Sequence, residues 1–187
     1  MVHSGNPTEE EIIRGCVAGR RKFQTLLYQK YARSLFAVCL RYSKDTAEAE
    51  DLLQESFIKI FSSIKDYRGD GPLKAWLTRI IINTALTRFR KNQPLVSHNM
   101  DEVPESSNDD SDDSIFTQVT PEHCSQIIGF IQELPDGYRQ VFNLYIFEGM
   151  SHKDISNLLG ITEITSRTQL RKARLWLREK ILKLLRS

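Results

Sequence analysis

Between Ser97 and Gln118 the chain reads SHNMDEVPESSNDDSDDSIFTQ, with seven carboxylates, no lysine or arginine, and no apolar period. Such a stretch buries too little surface to offset the entropy of ordering it, so it cannot run through a core. It divides the 187 residues into two blocks, each of which has to supply its own core. The charge follows the same division. Residues 1–96 carry 16 Lys/Arg against 10 Asp/Glu and residues 119–187 carry 10 against 7, so a net charge of +2 conceals two basic blocks about an acidic strip. Two basic blocks on one tether suit two points of contact with a single long polyanion.

Both blocks read as helix. From Thr8 to about Asn92 apolar residues recur at intervals of three and four, with hardly a strand-like alternation. One strong break falls in IKDYRGDGPLKAW, where Gly69 and Gly71 end a helix and Pro72 is suited to the first turn of the next. Helical patterns resume at Pro121, punctuated by ELPDGYRQ, FEGMSHKD and LLGITEIT, each a Gly or Pro turn followed by a cap. The expected architecture is all-α, with two small helical domains at 8–93 and 121–187 joined by a flexible acidic linker at 94–120. The second domain is expected to be a bundle of about four short helices.

With 40% hydrophobic and 27% charged residues, the composition is that of a soluble globular protein. No apolar run approaches the ~18 residues of a membrane span. The start, MVHSGNPTEEEIIRG, lacks the order of a signal peptide, so a cytoplasmic protein is expected, with no insertion into a membrane. Cys16, Cys39 and Cys124 are odd in number and form no CxxC pair. They read as reduced thiols, two of them on apolar faces, and no metal or other cofactor is expected.

The most informative segment of the second block is SHKDISNLLGITEITSRTQLRKARLWLREK. Ser151 caps a helix whose Ile155, Leu158 and Leu159 face inward, Gly160 supplies a left-handed turn, and Thr162 caps the next helix. That is a helix-turn-helix. In its second helix Leu170, Ala173, Leu177, Ile181 and Leu184 form an apolar stripe, and Arg167, Arg171, Arg174 and Arg178 run down another face at the same period. Four guanidinium groups with no relieving acid at i,i+4 repel one another unless an anion lies against them. A solvated basic face is the bland alternative; major-groove DNA is the specific one, because the second helix of this motif is the one that enters the groove. There Arg167 and Arg171 suit guanine edges, Lys172 and Arg174 suit phosphates equally well, and the sequence does not sort bases from phosphates.

In the first block, DTAEAEDLLQESFIKIF places Leu53, Phe57, Ile60 and Ile64 on a buried stripe and Glu48, Asp51 and Glu55 on an acidic one, with Asp45 and Glu48 as a capping box. DNA would repel those carboxylates, so the stripe is either an ordinary solvated face near a helix start or a surface for a basic protein. The carboxylates lack the histidine or glycine loop of a metal site. After the glycine break, PLKAWLTRIIINTALTRFRK turns Lys74, Arg79, Arg88, Arg90 and Lys91 outward and assigns Trp76 mainly to the core. Asn83 shares one side of that helix with Trp76, Ile80 and Thr87. Helix interiors disfavour asparagine, so it is either a satisfied buried amide or a ligand contact.

ELPDGYRQVFNLYIFEGMSHKDISNLLGITEITSRTQLRKARLWLREKI resembles the promoter-reading C-terminal domain of extracytoplasmic-function (ECF) sigma factors, the bacterial initiation subunits of RNA polymerase. AEAEDLLQESFIKIF and YRGDGPLKAWLTRIIINTALTRFRK resemble their other domain, in the right order and with the family's linker between. The resemblance implies that Glu48, Asp51, Gln54 and Glu55 dock on the β′ clamp coiled coil of core RNA polymerase. It implies that Tyr67, Arg68, Lys74, Arg79 and Asn83 recognise the minus-ten element, Tyr67 and Arg68 helping to hold a base extruded from the duplex. It assigns Thr165, Ser166, Arg167, Thr168, Arg171, Lys172 and Arg174 to the minus-thirty-five element. Further partners it implies are the β flap, promoter DNA and an anti-sigma factor that holds the otherwise monomeric protein, often at the inner membrane. The acidic linker would thread toward the active-site and RNA-exit channels, though a solubilising tether explains its composition as well. The chain departs from the family where Ile164, Thr165 and Ser166 replace a frequent Gly-Thr-Val, and where Gln169 replaces a common arginine, so one DNA contact is expected to be missing.

Two other classes compete. A stand-alone DNA-binding regulator explains the helix-turn-helix but leaves the acidic stripe and the glycine loop without a role. An enzyme acting on DNA fits less well, since the four histidines (3, 98, 123 and 152) are scattered over termini, linker and turns and no phosphate loop or metal motif appears. The initiation factor, not an enzyme, is the expectation.

Overall fold

The computed structural model describes residues 7–92 and 121–186. All secondary structure among the described residues is helical, with eight α-helices: α1 (Glu9–Val17), α2 (Arg21–Tyr42), α3 (Thr46–Ser63), α4 (Leu73–Asn92), α5 (Cys124–Glu133), α6 (Asp136–Ile146), α7 (His152–Leu159) and α8 (Glu163–Leu184). Single 3-10 turns cover Ile64–Asp66 and Pro121–His123. The described residues fall into two compact units. Residues up to Cys39 join Thr46–Ala85 in the first, and Leu40–Asp45 group with everything from Leu86 onward in the second. The acidic strip lies outside the described residues.

In the first unit α1 opens with a capping box that the sequence reading did not single out. The Thr8 hydroxyl accepts from the Glu11 backbone N–H at 3.3 Å, and the Glu11 carboxylate accepts from the Thr8 N–H at 2.8 Å. Glu9, on the opposite side of that turn, accepts from Lys30 Nζ at 3.0 Å and from the Tyr31 hydroxyl, which ties α1 to α2. Those two donors hold the Glu9 carboxyl below its usual range. Gly15 lets α1 approach the start of α2 so closely that a Cβ there would lie 2.1 Å from Phe23 Cγ.

The core of this unit is built from one face of each helix: Ile12 and Cys16 of α1, Leu27 and Leu35 of α2, Leu52, Leu53, Phe57 and Ile60 of α3, Ile64 of the 3-10 turn, and Leu73, Leu77 and Ile81 of α4, all buried. At roughly 1.5–3 kcal/mol for each large side chain taken out of water, these residues dominate the unit's stability. The predicted stripe of Leu53, Phe57, Ile60 and Ile64 is therefore the core side of α3. α1 packs against the 3-10 turn from which the glycine loop leaves.

The second unit is centred on α8, which packs against α5, α6 and α7. The expectation of short helices holds for α5 to α7, but α8 runs for 22 residues. Its stripe of Leu170, Ala173, Leu177 and Ile181 is buried, as are Val141 and Leu144 of α6, Ile155 and Leu159 of α7, and Ile131 of α5. Leu158 and Leu184, read as inward, are half-buried. At the α5–α6 corner the buried Arg139 donates from Nη1 to the Gln132 and Leu134 carbonyls, each at 2.8 Å, and from Nη2 to Asp136. A cation thus satisfies carbonyls that the end of α5 leaves without helical partners. Of the three thiols, Cys16 and Cys39 are buried and Cys124 is exposed, and none is in a disulfide.

Candidate nucleic-acid interface

Local chemistry sets the helix-turn-helix. Ser151 Oγ accepts from the Asp154 N–H at 3.1 Å and donates to its carboxylate at 2.6 Å. Gly160 closes α7 at φ 70° and ψ 33°, where a Cβ would be strained, and its N–H donates to the Ser156 carbonyl. Thr162 Oγ1 accepts from the Thr165 N–H at 3.0 Å and caps α8, which begins at the next residue. Between the two helices His152, stacked on Tyr145 with ring centroids 4.7 Å apart, places Nδ1 2.9 Å from Ser166 Oγ.

That contact corrects one expected DNA residue. Ser166 is fully buried, its hydroxyl occupied between α7 and α8, so it offers no surface to a groove. Arg167 and Arg171 are exposed, Thr168 and Lys172 half-buried. Thr165 is half-buried, with its hydroxyl 2.8 Å from that of Thr162. Arg174 turns toward α6, its guanidinium 5.7 Å from the Tyr145 ring centre. The basic face is also less bare than expected. Glu163 stands one helical turn before Arg167, with the closest approach at 4.0 Å, so one of the four arginines does have an acid at i,i+4. Gln169 lies over Gly137 at the head of α6, where a Cβ would come within 3.1 Å of its amide, so it is not on the exposed basic face. Ile164, treated in the sequence only as a departure from the family, is 66% exposed in the first turn of α8.

A second site lies in the first unit. The loop from Tyr67 to Pro72 turns at Gly69, φ 79°, and is closed by the Tyr67 hydroxyl donating to the Gly71 carbonyl at 2.5 Å. Pro72 sits just before α4 and not in its first turn; its carbonyl accepts from the Ala75 and Trp76 N–H groups. Loop and helix enclose an open cleft of about 300 Å³, lined among others by Tyr67, Arg68, Trp76 and Arg79. Trp76 is therefore not a core residue. It is half-buried with its ring centre 5.5 Å from that of Tyr67, the two planes tilted by 58°. Helical periodicity assigned it inward because nothing in the pattern shows that a loop tyrosine meets it from outside. Lys74 and Asn83 are exposed, which removes the buried-amide reading of Asn83.

The third surface is the outer face of α3. Asp51 and Gln54 are exposed and Glu48 and Glu55 half-buried, with Glu55 paired to Lys59 at 2.7 Å. One turn beyond Gln54 on this face stands Ile58, 71% exposed, which the sequence reading passed over.

Residues 27–94 match the family model of sigma-70 region 2, and residues 125–177 match that of sigma-70 region 4. The chain is 29% identical to the RNA polymerase sigma-H factor of Pseudomonas aeruginosa, over 89% of this chain and 90% of that protein. It is 30% identical to the ECF RNA polymerase sigma factor SigM of Bacillus subtilis, over 79% of this chain and 88% of that one. Among solved structures it is similar to the sigma factor RpoE of Bartonella quintana, determined in complex with the anti-sigma factor NepR, with TM-score 0.46 and 21% identity over 85% of this chain and 96% of that one. With both sigma regions in order and a 30% identical relative matched over most of its length, the chain belongs to the ECF sigma factors, the non-enzymatic subunits that direct RNA polymerase to promoters.

Proposed function

We propose that the two DNA-facing sites and the α3 face divide the work of initiation. The exposed face of α8, through Arg167 and Arg171 with Thr165, Thr168, Lys172 and Arg174 about it, lies in the major groove at the minus-thirty-five element. The cleft between the Tyr67 loop and α4 takes a base extruded from the minus-ten element, with Arg68, Lys74, Arg79 and Asn83 along the strand. Glu48, Asp51, Gln54 and Glu55 dock α3 on the β′ clamp of core polymerase, with Ile58 as apolar anchor. Ser166 drops out of the DNA set.

The observation that carries the reading is the cleft. Two aromatic rings border a space of about 300 Å³ whose rim carries Arg68 and Arg79 beside Asp66 and Asp70, so the cleft offers a base its stacking faces first, with guanidinium groups for a flanking phosphate and carboxylates to accept from base amino groups. Captured bases then offset the unstacking of the duplex, so melting needs no nucleotide hydrolysis. The domains follow the same division: 8–93 for polymerase and the minus-ten element, 121–187 for the minus-thirty-five element, with 94–120 as tether. An anti-sigma factor covering these surfaces and a cytoplasmic location complete the proposal. No helix among the described residues is long and apolar enough to cross a membrane.

The test is capture of purified core RNA polymerase, followed by run-off transcription on genomic fragments. Wild-type protein is expected to bind core and give discrete starts, whereas the double reversal Asp51→Lys and Glu55→Lys should lose core binding with the helical content unchanged. Unaltered binding by the reversed protein would remove α3 from the polymerase interface.

A further inference from the structure

We infer that Ile164 is a specificity-determining residue of the upstream element and that it reads a thymine through the C5-methyl group. The inference rests on the placement of α8 in the major groove and adds a contact that charge alone does not provide.

The argument starts from the helix itself. At 100° per residue, Ile164, Arg171 and Leu175 fall within about 20° of one line along α8, with Arg167 and Thr168 to either side. All three of the residues on that line are exposed, Ile164 by 66% and Leu175 by 52%. The line that carries Arg171, with Arg167 beside it, thus begins with a β-branched aliphatic side chain, in the turn that a helix-turn-helix directs at base edges. Single exposed aliphatic residues are ordinary on a protein surface. What singles out Ile164 is what it meets when the face it shares with Arg171 closes on DNA.

The major groove presents donors and acceptors at every base pair and one apolar group, the thymine methyl. An isoleucine pressed against donors and acceptors desolvates them without giving a hydrogen bond in return, an unfavourable exchange. Against a methyl, the same burial is favourable. The side chain therefore discriminates: a thymine at the facing position is preferred, and a base pair with only polar edges is rejected. Thr165 does not share that line, since it stands 100° further round the helix and is half-buried. Seven residues separate Ile164 from Arg171, about 10 Å along the axis, so this thymine is expected roughly three base pairs from the base that Arg171 contacts.

Replacing dT by deoxyuridine deletes only the methyl and keeps every hydrogen-bonding group, which makes the idea directly testable. Holoenzyme affinity is measured on a promoter carrying single dT-to-dU replacements through the upstream element, with wild type, Ile164→Ala, Leu175→Ala and Arg171→Ala. The expected result is one thymine whose replacement weakens wild-type binding by about three- to fivefold, the worth of one methyl taken out of water. That effect should vanish in Ile164→Ala and persist in Leu175→Ala, an equally aliphatic change about 16 Å further along the same line. Ile164 is exposed and alanine is the better helix former, so the variant keeps its fold. If Arg171→Ala weakens binding but no dU position distinguishes Ile164→Ala from wild type, the inference is overturned while the groove placement stands. If Arg171→Ala binds as wild type, α8 is not on the DNA, and both fail.

Discussion

Trp76→Ala separates a base-binding cleft from an ordinary surface hollow, because its effects on stability and on promoter opening should diverge. The indole is half-buried and pairs with the Tyr67 ring, so truncation loses part of a side chain's burial and a ring pair worth about 0.5–1.5 kcal/mol. Leu77, the next residue on α4, is fully buried, and truncating it should destabilise the unit by about 2–5 kcal/mol. For opening the order reverses. Base–aromatic stacking is worth about 1–3 kcal/mol per base, so Trp76→Ala should lower the equilibrium for the open complex roughly 5- to 150-fold. Leu77→Ala, below its melting temperature, should leave that equilibrium near wild type. The assay is the fluorescence of 2-aminopurine placed across the minus-ten element, titrated with holoenzyme, alongside urea unfolding of the free protein. Trp76→Phe, which keeps a stacking face, should recover most of the opening. Opening that follows unfolding stability in both alanine variants would refute the reasoning and make Trp76 a packing residue.

Two further predictions concern the first unit. The Glu9 carboxyl is held below its usual range chiefly by the Tyr31 hydroxyl, with Lys30 adding to it. A depressed pKa in the folded state gives stability that is present above the unfolded value near 4.5 and is lost as pH falls through the folded one. The protection factors of the α1 amides, exchange relative to the unfolded chain at the same pH, should therefore fall on acidification below that unfolded value in the wild type, and Glu9→Gln should remove that fall; an unchanged profile of protection in the variant would show that the pairing does not hold α1. Gly15→Ala should destabilise the protein, by about 1–2 kcal/mol in urea unfolding, although the same change usually favours a helix. The new Cβ would meet Phe23 at Cγ, Cδ2 and Cβ, so rotating the ring does not clear the contact, and a stabilised variant would show that α1 can shift away at little cost.

The helix-turn-helix was legible in the sequence because its determinants are local. Ser151, Gly160 and Thr162 act through hydrogen bonds spanning three or four residues, and no distant partner can change where they point. Burial of the α3 and α8 stripes was legible for a related reason, since a helix with one apolar face has one way to face a core. What escaped needed a partner far along the chain. Ser166 is withdrawn from the surface by His152, 14 residues away, and Trp76 is drawn out of the core by the Tyr67 ring.

A common cause links the residues misread or passed over. Periodicity treats an apolar residue as inward and charge patterning treats a surface as polar, so an aliphatic or aromatic side chain on an exposed face is invisible to both. Ile58, Trp76 and Ile164 are three such side chains, and each stands on a face that the sequence had marked by charge alone: the carboxylates of α3, the arginines about the glycine loop, the arginines of α8. On the proposed function, the charges would set which class of partner each face attracts from a distance, and the apolar side chain what fits there at contact. Charge was legible because it needs no fold to be counted. The apolar side chains on the three faces became legible only once the fold showed which of them it leaves uncovered or half-covered.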